Sequence, residues 1–168
     1  MADKIVVLNK GKLMQEGVPD QIYNHPANRF TADFIGRMNW MVGTVVGSDR
    51  LDLGHQQVVS VAQLSADNTG QTIEVGVRPE RIQLHRGPPD GSAANVLPVV
   101  VGGVENLGSD IHYRVVTHGE LQLVVVEKNA GRATLALGDP AHVVFAPEHC
   151  IVLSDDRESR VARERSAA

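Results

Sequence analysis

Apolar and polar residues alternate along most of this chain with the two-residue period of half-buried strands. Ile73, Val75 and Val77 alternate with Glu74, Gly76 and Arg78. Pro79 lacks an N–H, so the strand must stop there. Ile82 and Leu84 then resume the alternation, which gives a strand, a tight corner and a strand. Val42, Thr44 and Val46 form an earlier strand, Gly47-Ser48-Asp49 turns, residues 50–53 pair back, and 57–61 follow after Gly54. Ser65 to Gly70 reads as a loop. A second run of strands covers 96–106, 111–118, 121–127, 141–145 and 150–153. Gly102-Gly103 inside the first of these marks a bulge. Five such strands suit a small, partly closed OB-like barrel. The expected fold class is therefore mainly β.

The N-terminal stretch has a different pattern. Ile5-Val6-Val7-Leu8 is a continuous apolar run, as in a strand covered on both faces. Asn9-Lys10-Gly11 is turn chemistry, and 12–16 return as the second strand of a hairpin. Pro19 suits the first turn of a short helix, with Asp20 at its positive end. His25-Pro26 breaks that helix. A second helix is expected over 28–35, with Phe30 and Phe34 on one face and Gly36 as its C-cap. The most linker-like stretch is 87–92, and from Asp155 the chain is alternating charge, read as a solvated tail. The expected division is 1–36, 37–154 and a tail at 155–168.

Composition narrows the function. Apolar residues make up 42% but aromatics only 4%, so the core must be aliphatic. Sixteen Gly and eight Pro favour short strands over long helices. A net charge of −4, with three Phe, two Tyr and one Trp, argues against a nucleic-acid partner, which needs a basic groove lined with exposed aromatics. Cys150 is the single cysteine, which leaves no disulfide framework. Apolar runs such as 123–126 fall far short of the about 20 residues that cross a bilayer. Asp3 and Lys4 break any leader-like apolar run, so a reduced cytoplasmic setting is expected.

Candidate chemistry is sparse. A phosphate-cradling loop needs Gly-x4-Gly-Lys-[Ser/Thr], and no lysine here precedes Ser or Thr. The seven histidines form no His-x3-His pair. His149 and Cys150 are adjacent, so on a strand they face opposite ways. Cys150 reads as a buried hydrophobe and not as a nucleophile. Asp110 and His112 share a strand face without a hydroxyl to activate. No catalytic, cofactor-binding or metal-ligating residue is therefore expected. Arg78 reads as a structural cation that satisfies carbonyls or a carboxylate at the corner. Trp40 reads as a packed hinge or an interface anchor.

Val75-Gly76-Val77-Arg78-Pro79-Glu80 resembles the G-[IV]-R-P-E signature of the TOBE domain. That domain follows the ATPase core in the nucleotide-binding subunits of ABC importers for sugars, glycerol phosphate, polyamines and iron. The segments 2–12 and 16–36 are similar to the end of such an ATPase core and its exit into the regulatory domain, and Asn39 follows where the family commonly has asparagine. Val104-Glu105-Asn106-Leu107-Gly108-Ser109-Asp110 resembles the family turn V-E-x-L-G-x-[DE], and 146–153 its closing strand. The family-motif residues are thus Gly76, Arg78, Pro79, Glu80, Glu105, Leu107 and Gly108.

The resemblance implies a regulatory module of an importer's ATP-binding subunit, with carbohydrate as the expected solute. It implies no enzymatic activity of this segment, with ATP and magnesium held by an ATPase core upstream. It also implies permease subunits as indirect partners, a homodimer, and a place at the inner face of the cell membrane. The dimer interface is expected to include Ile5, Val7, Phe30, Phe34 and Trp40. The competing reading is a free-standing OB-like module that senses a small ligand.

Overall fold

The computed structural model describes residues 3–89, 95–131 and 134–153. Residues 90–92 of the expected linker and the expected tail lie outside the described residues. The chain divides into two compact units: one holds residues up to Met38 and those from Ile151, and the other holds Asn39–Cys150.

In the first unit, β1 (Ile5–Asn9) and β2 (Lys12–Gly17) form an antiparallel hairpin. Its turn carries Lys10 at φ 48° and Gly11 at φ 79°, the left-handed pair that matches strand twist. Pro19 opens α1 (Pro19–Asn24), and Asn28 caps α2 (Arg29–Ile35) by accepting the Thr31 N–H at 2.8 Å. Val7, Ile22, Thr31 and Ala32 are buried.

Only one face of β1 is covered, since Val6 and Leu8 stay exposed. Gly36 is the C-cap of α2, as expected, and takes extended backbone there at φ 176°. The chain leaves α2 directly in extended form. The short strand β12 (Ile151–Val152) ends the described chain.

The second unit holds two antiparallel sheets. The first contains β3 (Asn39–Val46), β4 (Arg50–Gly54), β5 (Gln57–Ser60) and β6 (Thr72–Val77), ordered β6-β3-β4-β5. The second contains β7 (Gln83–His85), β8 (Asn95–Asn106), β9 (Asp110–Thr117), β10 (Gln122–Lys128) and β11 (Pro140–Phe145), ordered β10-β9-β8-β11-β7. Inward residues alternate as the pattern predicts: Met41, Val45, Val75 and Val77 on one side, and Val99, Val101, Val115, Leu123, Val125 and Val143 on the other. The mainly β, OB-like fold is therefore as expected. The expected bulge is present as a register shift between Val101 and Gly103. The fifth strand of the second sheet is β7, however, and not the segment at 150–153. Strand β7 is short and polar-edged, so its pairing with β11 is decided by the backbone after the Pro79 corner.

The two sheets repeat one plan. Strands β3-β4-β5-β6 and β8-β9-β10-β11 follow the same order of hairpins and the same closing pairing, with Asn39 opposite Val77 and Asn95 opposite Phe145. Each run ends in a 3-10 turn that starts on proline, Pro79–Arg81 and Pro147–His149. The turn bonds match: Arg81 N–H to Arg78 O at 2.9 Å, and His149 N–H to Ala146 O at 3.0 Å. Reciprocal asparagines tie the halves together. The Asn39 amide donates to Val124 O at 2.8 Å and accepts from Val124 N–H at 2.7 Å. The Asn95 amide donates to Ser60 O at 2.8 Å and accepts from Ser60 N–H at 2.6 Å. Each clamps the edge strand of the other half, β10 or β5.

Cys150 follows the second corner and is fully buried. Burial first, then the Glu148 carboxylate, pushes its thiol up to about 12. The thiolate is the reactive form, so native protein should resist a thiol reagent at pH 8 and react only after unfolding. The sign of the pH effect follows. The unfolded thiol ionises first, so this contribution to stability is whole below about pH 9 and lost as pH rises toward about 12. A urea series at pH 8, 9.5 and 11, compared with Cys150→Ala, measures it.

Candidate functional site

The two family motifs converge on one open cleft of about 540 Å³ in the second unit. Glu80 reaches it from the Pro79 corner, and Asp110 reaches it from the start of β9. Gln83, His85, Tyr113, Glu127, Lys128, Asn129 and Thr134 complete its polar lining. Glu127 is held in place because its Oε1 accepts the Leu84 N–H at 3.0 Å. Lys128 stands opposite Asp110 in the β9–β10 ladder and donates to its Oδ1 at 2.7 Å. Ser109 Oγ donates to Asp110 Oδ2 at 2.9 Å. The Lys128 bond, then the Ser109 bond, hold the Asp110 carboxyl below its usual range. Burial is the main reason the Tyr113 phenol lies above its usual range. The cleft thus offers carboxylate acceptors, one lysine ammonium and the His85 imidazole.

The other motif residues have different surroundings. Gly76 is buried in β6 opposite Trp40. Arg78 is only 2% exposed and Pro79 is buried, so these two belong to the packed corner. Glu105, Leu107 and Gly108 are exposed on the β8–β9 turn. Gly108 takes φ 88° there, its N–H donates to Asn106 Oδ1 at 2.9 Å, and its carbonyl accepts from Asn129 Nδ2 at 2.8 Å. The motifs therefore contribute Glu80 and Asp110 to the cleft, while Arg78, Glu105 and Leu107 stay out of it. Tyr113, Glu127 and Lys128 were not singled out from the sequence as cleft residues. The Asp110–Lys128 partnership exists only through strand register, although the mixed charge ending β10 was a visible sign.

The expected interface residues also differ in setting. Val7 is buried, Ile5 and Phe30 are half-buried, and Phe34 is 65% exposed. The Phe30 and Phe34 rings stack with centroids 5.8 Å apart. Trp40 lies in β3 of the second unit, half-buried.

A buried cation is costly to strand or to remove. We expect Arg78→Ala to destabilise the protein by about 1.5–3 kcal/mol, the cost of losing a hydrogen bond to a charged group. Thermal melting checks this, and a variant that melts like the parent would show that Arg78 is not structural.

Comparison with known proteins adds to this picture. Residues 75–153 match the family model described as the TOBE domain. The chain is 37% identical over 159 residues to the spermidine/putrescine import ATP-binding protein PotA of Thermobifida fusca, covering 91% of this chain and 41% of that protein. It is 35% identical over 162 residues to the protein of the same name from Acidothermus cellulolyticus, covering 89% of this chain and 40% of that one. The chain thus spans about two-fifths of the length of the relatives it matches. The names of these relatives specify spermidine and putrescine and give no support to the carbohydrate solute expected above. A solved structure of the cytoplasmic molybdate-binding protein ModG, with molybdate bound, matches with a TM-score of 0.59 at 19% identity, over 70% of this chain and 96% of that one. That likeness shows a common fold alone. Residues 75–153 are thus similar to the TOBE domain, within a chain whose relatives named above are the ATP-binding proteins of importers.

Proposed function

We propose that this chain is the C-terminal regulatory portion of the ATP-binding subunit of an ABC importer that takes up polyamines. The observation that carries this reading is the relationship over 91% of the chain to a spermidine/putrescine import ATP-binding protein. The TOBE domain and the lack of a phosphate loop in these residues support a regulatory and not a hydrolytic role. In this reading ATP and magnesium belong to an ATPase core elsewhere in the subunit. Permease subunits span the membrane, and the module works at the inner face of the cell membrane. Among the described residues no helix is long and apolar enough to cross a membrane. The Pro79 corner and the cleft bearing Glu80 and Asp110 are the surfaces through which the module would be read.

The test is transport. Disrupting the gene in its own host should abolish uptake of labelled spermidine and putrescine and leave sugar uptake unchanged. Retained polyamine uptake, or loss of sugar uptake instead, would overturn the assignment.

We also propose that the first unit contributes to a homodimer. Val6, Leu8 and Leu13 leave apolar side chains of a two-stranded hairpin, marginal alone, open to solvent, and Phe34 of α2 is exposed as well. Light scattering should give a dimer for the 168-residue chain and a monomer for a version that begins near Arg37. A monomeric whole chain would exclude this contact.

A further inference from the structure

A second cleft, of about 300 Å³, opens where the β4–β5 and β9–β10 turns of the two repeats meet. Trp40, Val42, Leu53 and Leu121 form its apolar walls, and Gln57 and Glu120 are its polar groups. The turns come close because Gly119 has no side chain: a Cβ there would sit 2.8 Å from the His55 ring. Gln57 is 6% exposed, and its Nε2 is buried without a hydrogen-bond partner. An unsatisfied buried amide is destabilising, so it calls for a reason.

The repeat shows that the fold does not require an amide at this position. Ser60 and Val124 are equivalent, because each receives both bonds of a clamping asparagine. Three residues earlier in each repeat stand Gln57 and Leu121. The equivalent position in the other half thus carries an aliphatic side chain, which lines the same cleft. Gln57 is a polar departure from the repeat, and it lines a cavity at the small end of the range for ligand sites.

The lining defines the ligand. The orphaned N–H donors of Gln57 need a neutral acceptor, such as a carbonyl. The walls need a short apolar body against the indole and the aliphatic side chains. The exposed carboxylate of Glu120 at the rim favours a cationic end and disfavours an anion. A free diamine would bring a second ammonium against N–H donors, and a simple alkylamine would leave Gln57 unsatisfied. We propose that this cleft binds a small N-acylated aliphatic amine, with its amide carbonyl on Gln57, its methylene chain along Trp40 and its ammonium at Glu120. The inference comes from the cleft's own chemistry and stands apart from the proposed transport role.

Trp40 is the only tryptophan in the chain, so its emission reports on the cleft directly. The full chain is titrated with N-acetylputrescine, putrescine and n-butylamine. The expected result is a saturable emission change with N-acetylputrescine, at a concentration at least about tenfold below that needed for the other two, one lost hydrogen bond being worth about that factor. Gln57→Leu copies the residue of the other repeat. It should raise the melting temperature by about 2–4 °C and remove the preference for the acylated probe. Glu120→Gln, on the surface, should weaken all three probes and leave the melting temperature unchanged. No saturable change at millimolar N-acetylputrescine, equal response to n-butylamine, or an unaltered preference in Gln57→Leu would each overturn the proposal.

Discussion

Replacing Asn39 with alanine is expected to cost about 2–4 kcal/mol, because two backbone groups lose their partner at once. The Asn39 amide serves both the N–H and the carbonyl of Val124, at 2.7 and 2.8 Å. Strand β10 is the outer strand of its sheet, so no neighbouring strand takes up those groups. Asn39 is buried and can be replaced there by neither water nor a nearby side chain without rearrangement. An expected fall of about 5–12 °C in melting temperature follows for a chain of this size. Asn95→Ala should behave alike, since its amide does the same for Ser60 on the edge strand β5. Asn39→Asp discriminates between mechanisms. A carboxylate can accept the Val124 N–H but repels the Val124 carbonyl, so it should not restore stability. If Asn39→Asp melts like the parent, the two-bond clamp is not what holds the halves. Exposing an unpaired edge should also promote association, which light scattering would detect.

Gly43→Ala is expected to be the second severe substitution. Gly43 lies in the middle of β3 opposite Ile73. A Cβ there would run into the carbonyl oxygen of Asp52 and come within 2.8 Å of Leu51 Cγ. The first obstacle is backbone and the second is a fully buried core side chain, so neither can swing away. Overpacking of this kind typically costs about 1–3 kcal/mol, and the backbone clash places this case at the upper end. Gly102→Ala is the control. A Cβ at Gly102 would meet Val116 Cγ2 at 3.5 Å and Arg114 O at 3.6 Å, which are ordinary contacts. Urea denaturation of the two variants side by side should show a large loss for Gly43→Ala and a small change for Gly102→Ala. Equal behaviour would mean that β3 and β4 can separate locally at low cost.

Secondary structure was largely legible in the chain itself. Alternation in 73–77 and 111–117 placed strands because a pleated strand turns successive side chains to opposite faces. Pro19, Asn28 and Pro79 marked element ends because each supplies or withholds a particular backbone bond. The G-V-R-P-E corner carried the family resemblance together with the segments 2–12 and 16–36, and the match to the TOBE model over 75–153 agrees with it.

Tertiary structure alone decided which strands are neighbours. A period of two encodes the buried face but not the partner, since every strand offers the same backbone ladder. Strand β7 pairs with β11, a partnership the pattern does not specify. The repeat was hidden for a related reason. At the two corners only the Pro-Glu pair, Pro79-Glu80 and Pro147-Glu148, is shared, while Arg78 corresponds to Ala146. The turns need proline and extended entry, and side chains elsewhere were free to diverge. Glu80 and Asp110 line one cleft, and Gln57 stands unsatisfied beside Trp40, through register and folding across thirty residues of sequence in the first case. The sequence by itself determined the strands, their buried faces and their breaks, because those depend on local sterics and hydrophobicity; the pairing, the clamps and the clefts came from long-range hydrogen bonding between backbones that local pattern does not distinguish.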